Sequence, residues 1–234
     1  MNKAFDVIAF DADDTLWHNE VVFSMTQAKF QELLGKYPGV DTSLDLLHAT
    51  EIRNLKEFGY GIKGFALSMI EAAIEMTKGQ IVGHDIQQIV DFAREMINTP
   101  LALLDHVAEL IPALSEEYPL MIITKGDLVD QETKIAHSGL ADYFEYIEIV
   151  SDKKPETYAQ ILRRNQIDPQ RFIMIGNSLR SDILPVLDIG ASAVHIPYHV
   201  TWAHEVVDTP VGRERFYQLE HVGQFRDFLA NLSK

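Results

Sequence analysis

The sequence predicts an α/β protein, a doubly wound parallel-sheet core with an all-helical subdomain inserted after its first strand. Three observations carry that expectation. Five apolar runs each have the length of a buried strand, and the last four are spaced as βαβ units require. The stretch from about residue 18 to 100 shows helical periodicity and no strand-like run.

The first run, "DVIAF" from Asp6 to Phe10, opens the core. The insertion follows in successive apolar stripes: Val21, Val22, Met25, Lys29, Leu33 and Leu34, then Leu44, Leu47, Ile52 and Leu55, then Phe65, Met69 and Ile70. Pro38, Gly59 to Gly64 and Gly79 to Gly83 punctuate them. The core resumes near Pro100 with "LMIIT" (Leu120 to Thr124), "YIEIV" (Tyr146 to Val150), "FIMIG" (Phe172 to Gly176) and "SAVHI" (Ser192 to Ile196). Asp127 is placed to cap the helix that Gly139 closes, and Pro155 suits the first turn of the helix over "ETYAQILRR". "VGQFRDFLANL" reads as a closing amphipathic helix. The expected boundaries are 1–17 with 101–234 for the core and 18–100 for the insertion.

Composition narrows the function classes. A formal charge of −15 argues against a nucleic-acid binder or a protein held on an anionic membrane, because both need a basic surface. With no cysteine, thiolate chemistry, disulfides and Cys-type zinc sites are excluded. No run approaches the ~20 apolar residues of a membrane span, so the expectation is a soluble, cytoplasmic protein. "GYGIKG" spells the dinucleotide-binding G-x-G-x-x-G at Gly59, Gly61 and Gly64, but it follows the helical "EIRNLKEF" instead of a strand and is read as a flexible interhelical loop.

Ligands of open α/β sheets sit beyond the carboxyl ends of the strands, which brings one set of residues together. It comprises Asp11, Asp13 and Asp14, then Thr124, Lys125, Gly126 and Asp127, then Asp152, Lys153 and Lys154, then Asn177, Ser178 and Asp182. The acids of "VIAFDADDTLW" repel one another and call for a positive counterpart, best supplied by Mg²⁺, which takes one or two carboxylates together with phosphate oxygens and water. One aspartate could act as nucleophile with its neighbour as acid/base, while a lysine and a hydroxyl hold phosphate oxygens.

These residues make the chain resemble the haloacid dehalogenase (HAD) superfamily in its phosphatase branch. "DADDT" is similar to the D-x-D-x-T first motif, "IIT" ending at Thr124 to the second, "KKP" with Lys154 before Pro155 to the third, and "GNSLRSD" to the fourth. The insertion lies where that family carries a helical cap. The resemblance implies a Rossmann-like core and a Mg²⁺-dependent phosphomonoesterase acting on a small soluble phosphorylated metabolite. It implies Asp11 as the nucleophile that becomes an aspartyl phosphate, Asp13 as general acid/base, and Thr124 and Lys154 as phosphate-binding groups, with Lys125 a rim residue able to join them. The implied metal ligands are Asp11, the carbonyl of Asp13, and Asn177 or Asp182 of the fourth motif, where Asn177 stands in place of the usual aspartate. Asp13 favours phosphate esters over halides, since a leaving alkoxide needs a proton and a halide does not.

Other members of that superfamily remain as alternatives: a 2-haloacid dehalogenase, a phosphonate hydrolase or a phosphosugar mutase. A non-catalytic phospho-aspartate module is the alternative from another class. Trp17 and His18, with Tyr60, Ile62 and Lys63 of the insertion, are the candidates for choosing the leaving group. Thr15 is expected to fix the first loop, Asp14 to act as a turn or cap residue, and Lys153 to be solvated. His195, His199 and His204 match no common zinc spacing; His195 ends an apolar strand, and the stretch that follows is read as a loop beside the rim.

Overall fold

The computed structural model describes residues 3–200 and 202–232. The chain forms two compact units, Met1–Glu20 with Leu101–Lys234 and Val21–Pro100. The expected junction at residues 17 and 18 moves three residues later. His18 is still tied to the core through its amide to the Ala102 carbonyl at 3.0 Å, and the Asp14 carboxylate accepts from the amides of Asn19 (2.8 Å) and Glu20 (3.0 and 3.1 Å).

The larger unit is built on a six-stranded parallel sheet in the order β3-β2-β1-β4-β5-β6. The strands are β1 (Val7–Phe10), β2 (Leu120–Lys125), β3 (Tyr146–Val150), β4 (Phe172–Gly176), β5 (Ser192–His195) and β6 (Phe216–Gln218). Both faces of the sheet are covered, which is why its central strands read as unbroken apolar runs. Ile8, Phe10, Ile122, Ile173, Ile175 and Val194 pack on one side with residues of α5 (Val107–Ser115), α6 (Leu128–His137) and α9 (Phe225–Leu232). Val7, Ala9, Met121, Ile123, Met174 and Ala193 pack on the other with α7 (Pro155–Arg164) and α8 (Leu184–Asp188). The alternation along β1 follows from the two-residue period of a strand.

The five expected strands are present, and β6 is an addition. At three residues, two half-exposed and one exposed, it carries too little apolar pattern to announce itself. Asp127 caps α6 by accepting from the Asp130 amide at 3.1 Å, and Pro155 opens α7. With β1 flanked by β2 and β4, successive connections leave it in opposite directions and open a crevice at its carboxyl end.

The smaller unit is helical, taking in most of α1 (Glu20–Leu34) together with α2 (Asp45–Phe58), α3 (Ile62–Met76) and α4 (Gly83–Asn98). Its core includes Phe30, Leu33, Leu34, Leu47, Phe65, Met69, Ile89 and Phe92. Two expected stripes shift. Met25 is 66% exposed, and Thr26 with Phe30 turns inward instead. In α2 Ile52 is exposed while Thr50, Glu51 and Asn54 are buried. "GYGIKG" joins α2 to α3, and so has no strand before it. Gly59 and Gly61 adopt positive φ, and a Cβ on Gly64 would meet the Gly59 carbonyl at 2.7 Å. These glycines serve the interhelical connection expected from the sequence, which is a tight turn.

Among the described residues no helix is long and apolar enough to cross a membrane.

Candidate active site

The site is built where the chain leaves β1. The Asp11 amide continues the ladder to the Ile175 carbonyl at 2.8 Å, after which the chain turns sharply. Leu16 bonds back to Ala12 (2.8 Å) and Asp14 to Trp17 (2.7 Å), while Leu104 bonds to Leu16 (3.0 Å). Asp14 sits at φ 60°, a left-handed conformation that aspartate tolerates better than most residues. Burial pushes its carboxyl up to about 6, against the pull of the two amides it accepts from.

Asp11 and Asp182 face one cation, the ammonium of Lys153. Its Nζ donates to Asp11 Oδ1 and, at 2.7 Å, to Asp182 Oδ1; the lysine side chain is 1% exposed. Burial alone would lower the Lys153 pKa, but the charges of Asp11 and Asp182 outweigh it and keep the lysine protonated. Burial, reinforced by the like charge of Asp182, raises the Asp11 carboxyl against the pull of Lys153.

Asp182 is carried back beneath the strand end by a π-helical turn, Leu179–Ile183, capped by Ser178. The Ser178 amide donates to Asp182 Oδ2 at 2.9 Å. Gly176 makes the approach possible, since a Cβ there would lie 2.3 Å from Asp182 Oδ2.

The expectation for the two adjacent lysines is reversed. Lys153 is the buried lysine of the site, whereas Lys154 is 65% exposed and paired with Asp152 at 2.9 Å. Neighbouring residues in extended backbone point opposite ways, so only one of the two can face the crevice. Lys125 is also committed elsewhere. It pairs with Glu205 and donates to Ser181 Oγ at 2.8 Å, while Ser178 and Ser181 (2.7 Å) donate to the same carboxylate. Burial would raise Glu205, but the Lys125 charge and these hydrogen bonds bring it down to about 2.

Asp13 is gripped from three sides. Its Oδ1 accepts from Trp17 Nε1 at 2.7 Å, its Oδ2 from Gln131 Nε2 at 2.9 Å, and Lys134 Nζ lies 3.3 and 3.2 Å from the two oxygens. Trp17, expected among the residues that choose the leaving group, is fully buried with its ring nitrogen on Asp13. Thr124, 1% exposed at the end of β2, donates to Gln131 Oε1 at 3.3 Å. Gln131 and Lys134 carried a weak signal in the sequence, being polar residues on the face of α6 that also presents Ile135 to the core. Lys153 carried the signal of its place after β3 but none that ranked it above Lys154, and Glu205 carried none that sets it apart from other charged residues.

Thr15 Oγ1 lies 3.4 Å from both Asp11 Oδ2 and Asn177 Oδ1, which brings a carboxylate oxygen and an amide oxygen to the same hydroxyl. Among the described residues no three His, Asp or Glu side chains are grouped to hold a metal ion. A hard cation here would instead draw on Asp11, Asn177 and a main-chain carbonyl. That all-oxygen set suits Mg²⁺, and two carboxylates facing a single lysine leave negative charge for it to balance. The Asp182 oxygens accept from Lys153 and the Ser178 amide, as the Asp11 oxygens accept from Lys153 and Thr15.

Of the remaining candidates, His18 is half-buried and its Nδ1 is hydrogen-bonded to Tyr198 Oη at 2.6 Å. Ile62 is buried in the helical core, where it is not available to a ligand. Tyr60 is half-buried and Lys63 exposed. His195 Nε2 is bonded to the Asn177 carbonyl at 3.0 Å, His199 stacks near Tyr198 and His204 near Trp202.

Comparison with known proteins follows the same lines. The family described as haloacid dehalogenase-like hydrolase matches residues 5–190. A solved haloacid dehalogenase-like family hydrolase from Xanthomonas campestris is 38% identical, with a TM-score of 0.88, covering 99% of this chain and 97% of its own. The glyceraldehyde 3-phosphate phosphatase of Pyrococcus furiosus is 25% identical over 207 residues, 84% of this chain and 82% of that protein. A 2-haloacid dehalogenase from Pseudomonas syringae shares the fold at 18% identity and a TM-score of 0.65, covering 97% of this chain and 99% of its own.

Proposed function

The chain belongs to the haloacid dehalogenase-like hydrolases, and we propose that within them it is a Mg²⁺-dependent phosphomonoesterase acting on a small phosphorylated metabolite through an aspartyl phosphate on Asp11. One observation carries the reading. A second carboxylate, Asp13, stands two residues beyond Asp11 and is fixed by Trp17, Gln131 and Lys134. A leaving alkoxide needs a proton donor at that place, and a halide does not. The glyceraldehyde 3-phosphate phosphatases among the relatives agree with it, and make a three-carbon phosphate ester the first substrate to try.

In this reading Asp11 attacks phosphorus as the ester bond breaks, and Asp13 gives its proton to the departing oxygen. Asp13 then takes a proton from the water that cleaves the aspartyl phosphate. Lys153, beside Asp11, takes the role expected of Lys154 and stabilises charge on the phosphoryl oxygens, with Thr124 at the next strand end. Asp182 keeps Lys153 in place. Asp11, Asn177 and the carbonyl of Asp13 would hold Mg²⁺, which when bound neutralises phosphoryl charge.

Phosphate release from a panel including glyceraldehyde 3-phosphate and p-nitrophenyl phosphate tests this. We expect turnover that disappears with EDTA, returns with Mg²⁺, and falls by at least about 10³-fold in Asp11→Asn. Undiminished release by Asp11→Asn, or halide release from 2-haloacids with no phosphate release, would overturn it.

A further inference from the structure

Lys134 comes from helix α6, far in sequence from the Asp13 it touches, and it is not a surface lysine. Its side chain is 17% exposed, and its Nζ reaches four oxygens: both of Asp13 (3.3 and 3.2 Å), Asn19 Oδ1 (2.9 Å) and Asp130 Oδ2 (3.1 Å). Asn19 follows the β1 turn and Asp130 lies one helical turn before Lys134, so the ammonium is anchored independently of Asp13. It therefore acts as a fixed point for that carboxylate. Gln131 completes the fixture on the same helix face, and its own place is narrow: Gly126, at φ +151°, has Gln131 Nε2 2.9 Å from where a Cβ would be.

Trp17 reaches only Oδ1 and Gln131 only Oδ2, whereas Lys134 spans both. Without Lys134 each oxygen keeps a single neutral donor, and the carboxylate loses the charge-assisted contact that ties both oxygens to one anchored group, so its tilt is held less tightly. A group that must deliver a proton to one oxygen and take one from another needs that tilt held.

We propose that Lys134 is a positioning residue, holding the carboxylate of Asp13 in one orientation through both proton transfers without touching the substrate. This rests on the reading of Asp13 as acid/base. The proton balance runs entirely through Asp13, which enters the cycle protonated: it passes that proton to the ester oxygen as the O–P bond breaks and the Asp11–P bond forms. It recovers one from water as the Asp11–P bond breaks. Lys134 neither gives nor keeps one.

The test compares wild type, Lys134→Met and Lys134→Arg, each with Mg²⁺, on p-nitrophenyl phosphate and on an alkyl phosphomonoester that the wild type turns over. Lys134→Met should lose on the order of 10²-fold in kcat on the alkyl ester, the scale of a misplaced catalytic group. Its KM should stay within about twofold, since no substrate contact is lost. The loss should be smaller on p-nitrophenyl phosphate, whose leaving group needs little protonation, and Lys134→Arg should recover part of it. In an Asp13→Ala background Lys134→Met should add no further loss. Wild-type kcat in Lys134→Met, or a loss that adds in full to that of Asp13→Ala, overturns the proposal while leaving the phosphatase reading intact. A wild type inactive on all esters overturns both.

Discussion

Asp182 beyond the carboxyl end of β4 is 1% exposed and Glu51 in the helical unit 9%, yet the two carboxylates are buried in different company. Asp182 has the Lys153 ammonium on one oxygen and the Ser178 amide on the other. Among the described residues Glu51 Oε2 has no hydrogen-bond partner, and burial pushes its carboxyl up to about 7. The carboxyl end of the sheet keeps charge inside by surrounding it with donors, while the helical unit tolerates a buried acid by favouring its neutral form. What distinguishes the regions is the supply of partners, not the depth of burial.

The largest test of that difference removes a partner. Lys153→Met leaves Asp11 and Asp182 facing each other without a cation and should destabilise the protein by about 3–5 kcal/mol in urea unfolding. Lys154→Met, which loses only an exposed pair with Asp152, should leave the midpoint where it was. Equal effects from the two substitutions would break the comparison.

Glu51 sharpens it from the other side. Its folded-state pKa lies above the ordinary 4.5, so the native state holds the proton more tightly than the unfolded chain. The stability this contributes is complete below about pH 4.5, declines as pH rises toward 7, and is gone above it. Glu51→Gln should match the wild type near pH 4.5 and exceed it at pH 8 by up to roughly 3 kcal/mol, read from unfolding midpoints at the two pH values. A variant no more stable than wild type at pH 8 would show that Glu51 has a partner after all. The smallest effect belongs to charge that is not buried. Lys29→Ala, which breaks an exposed pair with Glu95, should shift the midpoint too little to resolve.

Much of the core was readable in advance because both faces of its sheet are covered, which turns β1, β2, β4 and β5 into apolar runs and places their last residues on one rim. The nucleophile candidate Asp11 and its neighbour Asp13 were legible for that reason, as were the Asp127 cap and Pro155. The stripes of α1 and α2 were less so. Thr26, Thr50, Glu51 and Asn54 are polar residues turned inward, which periodicity of apolar residues cannot reveal.

Sequence by itself determined the α/β class, the helical insertion, and the gathering of acids beyond β1, since each depends on local period or on position along the chain. Tertiary structure alone decided that Lys153 and not Lys154 enters the site, that Lys125 is held by Glu205, and that Lys134 and Gln131 reach across to Asp13. Those choices depend on which way a side chain leaves the backbone and on which distant segment meets it, and neither quantity is a property of neighbouring residues.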